Sequence, residues 1–243
     1  MKRLAALATV AVAAAACGSA STPGGSTPRP TVFAASSLTE VFQRLDPRAH
    51  FSFAGSDELA DQLRDGASAD VYAAASPRYP AELHRAGLVR TPRIFATNTL
   101  VLVVPSDNPA GIQSVADLAR PGTKVVIGAR GVPIGDYTRE VLARLGRRSI
   151  VRNVVSEEQD AKGVIGKVVS GDADAGFVYA SDAKAAGAGV RAIAIPARAQ
   201  PTVEYSIALV MHAAHPAAAR QFVARVLSPD GRAALRSAGF GLP

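Results

Sequence analysis

Short runs of apolar residues alternate with amphipathic segments along most of this chain. The runs rich in Val, Phe, Ala and Tyr predict strands, and the segments between them carry apolar residues at the spacing of a helix face. The predicted strands are residues 31–34, 50–54, 71–74, 100–104, 125–128, 175–179, 192–195 and 205–211. The predicted helices are residues 38–45, 58–64, 80–86, 141–145, 164–169, 216–227 and 231–237. Such alternation is typical of the α/β class, in which helices cover parallel sheets.

About 210 residues organised in this way fit two small lobes better than one large sheet. We predict a two-lobed α/β fold in which each lobe is a mostly parallel sheet flanked by helices. A ligand cleft is expected between the lobes, because open sheets bind ligands beyond the carboxyl ends of their strands. Residues 31–97 and 205–243 are assigned to lobe 1, and residues 98–204 are assigned to lobe 2.

The first 30 residues have the pattern of an export signal followed by a tether. Positive charge at residues 1–3 precedes an apolar run over residues 4–16, so residues 1–16 are predicted to be a signal peptide. Cys17 follows at once, which resembles the lipobox of bacterial lipoproteins and predicts a lipid-modified cysteine; the alternative is an ordinary secretion signal. Residues 17–30 are rich in Ser, Thr, Gly and Pro and predict a flexible tether.

Composition excludes several other classes of protein. The chain has 27 Lys and Arg residues against 20 Asp and Glu residues, but the Arg residues are scattered singly, which argues against a nucleic-acid surface. One cysteine cannot form an internal disulfide, and the four histidines lack the spacing of a zinc site. We therefore expect no metal site, no cofactor and no nucleic-acid partner.

Two junctions between a strand and a helix in lobe 1 carry serine. Ser36 and Ser37 follow the first strand, and Ser37 with Glu40 has the spacing of a capping box. Ser56 follows the second strand after Gly55, where glycine would allow a tight turn. Each serine is also explained by helix capping alone, so neither one by itself predicts a ligand.

Two further junctions lie in lobe 2. The glycine-rich segment 131–135 precedes a helical pattern, and Asp160 with Ala161 opens another. Helix N-termini carry partial positive charge and unpaired N–H groups, so several of them aimed at one cleft would bind an anion without any Lys or Arg. A glycine-rich turn also has the simpler explanation of backbone geometry.

Several segments, taken in order, resemble the periplasmic molybdate-binding proteins of ABC importers, which have the type II solute-binding fold. They are TVFAASSLTEVF, FSFAGSDELADQL, GASADVYAAAS, NTLVLVVP, VPIGDYTREVLARLG and GDADAGFVYASDA. The resemblance extends over residues 31–243. It implies a periplasmic-binding-protein-like type II fold that captures molybdate or tungstate as its ligand.

The resemblance also implies which groups hold the oxyanion. These are the hydroxyls and amides of two serines, two amides from the second lobe and one phenol, which fall on Ser37, Ser56, Ile134, Ala161 and Tyr179. Ser36 stands where many relatives have Ala, so it would be an additional hydroxyl. Asp57 departs from the family pattern. A carboxylate at this position that was aimed into the cleft would repel a dianion. We expect Asp57 to point away and to complement the helix N-terminus.

The expected partners, again from the resemblance, are an ABC permease and its ATPase subunit. The protein is expected to be a monomer anchored by its lipid to the outer face of the bacterial cell membrane, and not an enzyme. The same fold could instead bind sulfate, phosphate or a small organic anion, with Asp57 accepting the proton of phosphate. A secreted serine hydrolase and an adhesion lipoprotein are alternatives from other classes; the hydrolase lacks a GxSxG elbow.

Overall fold

The computed structural model describes residues 28–243, so the predicted signal peptide and Cys17 lie outside the described residues. The described chain folds into ten strands and eight α-helices. The strands are β1 (Thr31–Ala35), β2 (His50–Ala54), β3 (Val71–Ala74), β4 (Arg93–Asn98), β5 (Leu100–Pro105), β6 (Val125–Gly128), β7 (Val154–Glu158), β8 (Ala175–Tyr179), β9 (Val190–Ala194) and β10 (Val203–Leu209). The helices are α1 (Thr39–Leu45), α2 (Ser56–Arg64), α3 (Arg78–Arg85), α4 (Pro133–Arg144), α5 (Ala161–Val169), α6 (Ala180–Ala186), α7 (Pro216–Leu227) and α8 (Pro229–Ser237).

The strands form two five-stranded sheets with the same arrangement of parallel and antiparallel strands. The first sheet has the order β2-β1-β3-β10-β4, and the second has the order β7-β6-β8-β5-β9. In the first sheet β10 is antiparallel to both of its neighbours, and in the second sheet β5 is. The other four strands of each sheet therefore run in one direction. The predicted α/β fold with two mostly parallel sheets is confirmed.

The chain passes between the two sheets at two places. Strand β4 of the first sheet ends at Asn98 and β5 of the second begins at Leu100, so Thr99 alone joins them. The return passes from Ala194 at the end of β9 to Val203 at the start of β10. These passages lie beside the proposed lobe borders, which remain a prediction.

Three elements were missing from the predicted set: β4, β7 and α6. Strand β4 directly precedes the long apolar run of β5, and no turn signal separates the two strands. Strand β7 lies at a sheet edge and alternates between half-buried and exposed residues, ending in two glutamates. Helix α6 has the sequence ASDAKAA, which lacks large apolar residues at helical spacing. In each case the element is buried through its tertiary contacts, and its own sequence lacks a strong strand or helix pattern.

Buried side chains fill the space on both faces of each sheet. Phe42 of α1 packs edge-on against Phe222 of α7, with their ring centroids 5.2 Å apart. Leu59 of α2 and Leu83 of α3 belong to a second apolar cluster, and Val164 of α5 to a third. No helix within residues 28–243 has the length and apolar character needed to cross a membrane.

The first turn of α4 lies directly against the end of β6. A Cβ atom on Gly135 would lie 2.1 Å from the carbonyl oxygen of Ala129 and 2.3 Å from that of Gly128. Both contacts are with backbone, which cannot move aside as a flexible side chain could. Glycine at position 135 therefore sets how closely the N-terminus of α4 approaches the sheet.

We predict that Gly135→Ala lowers the free energy of unfolding by roughly 1–3 kcal/mol, because the added methyl group overpacks against backbone. Gly166→Ala is the matched control, since Gly166 lies inside α5 with nothing within 4 Å of its added Cβ. That control should gain about 0.4–1 kcal/mol from reduced freedom of the unfolded chain. Urea unfolding followed by circular dichroism measures both; equal effects of the two substitutions would contradict this account of α4.

Candidate functional site

A cavity of about 10 Å3 lies where the two sheets face each other. This is close to the space that one water molecule needs, so the closed site suits a ligand of very few atoms. The lining includes every residue that the resemblance implied, together with the additional hydroxyl: Ser36, Ser37, Ser56, Ile134, Ala161 and Tyr179. The structure thus brings these residues together, and their role as ligands remains a prediction.

Contacts across the cleft hold the two lobes close to each other. The Tyr79 phenol donates to the backbone carbonyl of Gly131, which belongs to the opposite lobe. At the rim, Lys162 Nζ lies 3.5 Å from Glu40 Oε1. Both pairs join loops and helices across the cleft, and residues of both lobes line the cavity.

Ser37 lies inside a 3₁₀ turn (Ser36–Leu38) that directly follows β1. Its hydroxyl oxygen is 2.9 Å from the phenol oxygen of Tyr205, and both side chains are buried. The predicted capping box with Glu40 is wrong, because the N-cap of this turn is Ala35 and Ser37 is already within the turn. The Ser37 hydroxyl therefore has a partner in the core of the protein.

Ser56 is the first residue of α2, and its hydroxyl accepts a hydrogen bond from the backbone N–H of Ala75 at 3.0 Å. Because a backbone N–H can only donate, the Ser56 hydroxyl keeps its own proton for another acceptor. The expected tight turn at Gly55 is wrong, since its φ of −58° and ψ of 143° are open to any residue. Glycine fits there because a Cβ would lie 2.5 Å from the carbonyl oxygen of Gln159 in the opposite lobe.

Helices α4 and α5 of the second lobe direct their N-termini at the cavity. Ile134 is the second residue of α4, and Ala161 is the first residue of α5. Backbone N–H groups in the first turn of a helix have no partner within the helix. Asp160 caps α5, as predicted, by accepting the N–H of Gly163 at 2.8 Å. The amides at Ile134 and Ala161 can thus act as donors although their side chains are apolar.

Tyr179 ends β8 and is 1% exposed, yet its hydroxyl has no hydrogen-bond partner within residues 28–243. Its ring packs edge-on between those of Tyr137 and Tyr205, with centroid distances of 6.5 and 5.7 Å. Leaving a buried hydroxyl unpaired costs on the order of 1–3 kcal/mol. An acceptor placed in the cavity would remove this cost, because Tyr179 lines it.

Asp57 lies outside the set of described residues that line the cavity. Burial raises the pKa of its carboxyl, and hydrogen bonds from the backbone of Asp57 and Glu58 partly offset this rise. Its Oδ1 is buried without a hydrogen-bond partner among the described residues and lies close to Gly55, which lines the cavity. The expectation that Asp57 complements the helix and does not point at a bound anion stays a prediction.

A cluster of buried polar side chains behind the site was not predicted. It consists of Tyr205 and Asn98 from the first sheet and of Ser181 and Asp182 from α6. Asn98 donates to Ser181 Oγ at 2.9 Å, which ties the last residue of β4 to the second lobe. The available sequence signal is weak: Ser181 and Asp182 follow Tyr179, and Asn98 precedes the apolar run of β5.

Asp182 is the most strongly perturbed carboxyl group near the site. Burial raises its pKa to about 7, although the backbone N–H of Tyr179 and the charge of Lys162 favour the ionised form. One of its oxygens, Oδ2, has no hydrogen-bond partner among the described residues. The folded protein therefore holds a proton on Asp182 at a pH where the unfolded chain has released it.

We predict that the free energy of unfolding falls as the pH rises from about 4 to about 7. Folding raises the pKa of Asp182 from 3.8 to about 7, so in this window the folded state binds more protons than the unfolded chain. The loss amounts to roughly 4 kcal/mol at most. Asp182→Asn should remove this slope and be more stable than the parent at pH 8, but not at pH 4.

Urea unfolding at pH 4 and pH 8 measures this effect. Asp46→Asn is a matched control, because Asp46 is also buried but forms an ion pair with Arg225 at 2.5 Å. Its substitution should reduce stability at pH 8, which is the opposite sign. An unchanged slope in Asp182→Asn would contradict the assignment.

The arrangement defines a class of protein: two α/β lobes closed over a small cavity lined by hydroxyl groups and helix N-termini bind a ligand between them. The chain belongs to the family of bacterial extracellular solute-binding proteins, whose model matches residues 30–241. It is 42% identical over 244 residues to the molybdate-binding protein ModA of Mycobacterium tuberculosis strain H37Rv. That alignment covers 94% of this chain and 92% of the relative.

Solved structures share the fold. The periplasmic molybdate-binding protein of Azotobacter vinelandii matches with a TM-score of 0.78 and 23% identity, over 88% of this chain and all of that one (100%). The sulfate-binding protein SubI of Mycobacterium tuberculosis matches with a TM-score of 0.74 and 20% identity, over 87% of this chain and 86% of that one. At these identities the two structures support the fold alone.

Proposed function

We propose that this chain captures molybdate, or the chemically similar tungstate, in the cavity between its lobes and delivers it to an ABC importer. The observation that carries the proposal is the donor set around the cavity, in which the buried Tyr179 hydroxyl has no partner among the residues that the structure describes. The 42% identity to a molybdate-binding protein over nearly the whole chain supports the choice of ligand.

The chemistry of the lining suits a fully deprotonated dianion. Ser37 and Ser56 would donate through their hydroxyls, Ile134 and Ala161 through their amides and Tyr179 through its phenol. Five such hydrogen bonds to charged oxygen, at about 1.5–3 kcal/mol each, sum to roughly 8–15 kcal/mol, compared with the roughly 8 kcal/mol of micromolar binding. The surplus offsets desolvation of the anion and closure of the lobes.

Closure would couple binding to delivery. An anion held by both lobes binds the closed state more tightly than the open state. Binding therefore shifts the equilibrium toward the closed state, to the extent that the two affinities differ. The contacts between Tyr79 and Gly131 and between Lys162 and Glu40 support such a closed state. A permease that recognises the closed form would then distinguish loaded protein from empty protein.

Sulfate is the second candidate ligand, because it too presents only acceptors at neutral pH and the sulfate-binding protein SubI has a similar fold. Phosphate is less suited, since it carries a proton that needs an acceptor. Asp57, which was considered for this role, lies outside the described lining of the cavity. Cavity size would have to separate sulfate from molybdate.

A binding role fits this site better than catalysis. Ser37 contacts a phenol and Ser56 contacts a backbone amide, so neither hydroxyl is paired with a general base that could activate it. The described lining of the cavity contains no histidine. We therefore propose no reaction and no cofactor for this chain.

The proposed location follows from the family and from the first 30 residues. Extracellular solute-binding proteins act outside the cytoplasm, and the pattern around Cys17 favours a lipid anchor on the outer face of the cell membrane. The partners would be an ABC permease and its ATPase, with the binding protein acting as a monomer. Mass spectrometry of the membrane-extracted protein tests the lipid on Cys17.

We predict that replacing Ser37 and Ser56 together with alanine abolishes tight molybdate binding in calorimetric titration. Two hydroxyl donors to charged oxygen are removed, which should weaken binding by about 100-fold or more. The matched control replaces Ser114 and Ser228, whose hydroxyls cap helical segments away from the cavity. The control should bind as the parent does; tight binding by the first variant would refute the assigned site.

A further inference from the structure

We propose that Asn98 and Tyr205 are positioning residues that fix the direction of the Ser37 hydroxyl, so that it donates into the cavity. This inference rests on the proposed function and deepens it, because it names what makes the site select an anion without a proton. A hydroxyl group has one proton and can turn to accept as well as to donate. A site that admits only deprotonated anions therefore needs something that prevents Ser37 from turning.

The amide of Asn98 has a fixed orientation. Its Oδ1 accepts the backbone N–H of Thr99 at 3.0 Å, and its Nδ2 donates to Ser181 Oγ at 2.9 Å. Because a backbone N–H can only donate, the oxygen and the nitrogen of this amide cannot exchange places without losing that bond. The remaining N–H of Asn98 is thereby directed into the buried cluster.

Tyr205 lies beside Asn98 on the neighbouring strand. The register of β4 and β10 pairs Asn98 with Val203 and Ala96 with Tyr205. The side chains of Asn98 and Tyr205 therefore lie on the same face of the sheet, as diagonal neighbours on adjacent strands. In the proposed relay, the remaining N–H of Asn98 donates to the Tyr205 phenol; the Asn98 side chain favours the ionised form of that phenol, as such a donor would. Since the NH2 group can only donate, the phenol oxygen accepts this bond, and its own proton is free to point to Ser37.

Ser37 Oγ and the phenol oxygen of Tyr205 lie 2.9 Å apart, and in the proposed relay the phenol is the donor. Tyr205 is fully buried, and burial raises its pKa well above the ordinary value. The phenol therefore stays protonated and remains a donor. Ser37 accepts from Tyr205 and keeps its own proton for the cavity.

The Ser56 hydroxyl is also held so that it donates into the cavity, but by a single hydrogen bond. It accepts the backbone N–H of Ala75, which fixes its direction without any side chain. The two serines thus present their protons to the same cavity, one held by the backbone and the other by a relay of two side chains. A reversed Ser37 hydroxyl would present a lone pair to the oxyanion and would accept the proton of an anion such as hydrogen phosphate.

The relay is tested with Asn98→Asp, Tyr205→Phe and the double variant, each titrated with molybdate in a calorimeter. In Asn98→Asp a carboxylate oxygen takes the phenol proton, Ser37 then donates to Tyr205, and binding should weaken by about 100-fold. Tyr205→Phe alone should weaken it by only about 3- to 10-fold, because Ser37 is still able to donate. In the double variant Ser37 is released, so binding should recover by at least about tenfold over Asn98→Asp.

The recovery separates the relay from a structural role or from simple charge repulsion, since the new carboxylate is still present in the double variant. Equal affinities of Asn98→Asp and the double variant would overturn the proposal. So would an affinity of Asn98→Asp within about threefold of the parent.

A second readout applies if Asn98→Asp does not fold. The ratio of the dissociation constants for phosphate and molybdate at pH 6 should fall by at least about tenfold in Tyr205→Phe. Tyr137→Phe is the matched control, because it also removes a phenol hydroxyl beside Tyr179 but lies outside the relay, and its ratio should not change. An unchanged ratio in Tyr205→Phe overturns the relay. Absence of molybdate binding in the parent would instead overturn the proposed function.

Discussion

The direction of each hydrogen bond around the cavity is the constraint on which the proposed function depends. A small site discriminates by charge and proton state only if its polar groups cannot reorient. Backbone amides at helix N-termini meet this condition by their geometry, and Ser56 meets it through the N–H of Ala75. The Ser37 hydroxyl contacts a side chain, the Tyr205 phenol, whereas the Tyr179 hydroxyl has no partner within residues 28–243 and is left for the ligand.

Close approach of one backbone segment to another positions the donor groups around the cavity. Gly135 brings the first turn of α4 against β6, and Gly55 brings β2 of one lobe against the Gln159 carbonyl of the other. A side chain at either position would push a helix N-terminus away from the cavity. The same two-sheet framework puts Asn98 and Tyr205 next to the passage of the chain between the lobes. The proposed relay therefore lies where the lobes would move relative to each other on opening and closing.

The sequence was sufficient for most of the fold, because β1, β3, β5 and β8 are continuous apolar runs whose burial is evident locally. It failed for β7 and α6, whose patterns become interpretable only from their neighbours. The residues around the cavity were indicated by the family resemblance and not by periodicity, since Ile134 and Ala161 act through backbone. Tyr205 could not be predicted, because its partner Ser37 lies 168 residues away in the chain. Asp182 could not be predicted, because burial in the folded protein is what raises its pKa.

The central claim is that a cavity lined by fixed donors selects a deprotonated tetrahedral dianion. It is tested most directly by calorimetric titration of the protein with molybdate, tungstate, sulfate and phosphate in parallel at neutral pH. We predict dissociation constants below about 1 μM for molybdate and tungstate, with much weaker binding of phosphate, because the fixed donors offer no acceptor for its proton. Tight binding of phosphate, or equal binding of all four anions, would contradict it.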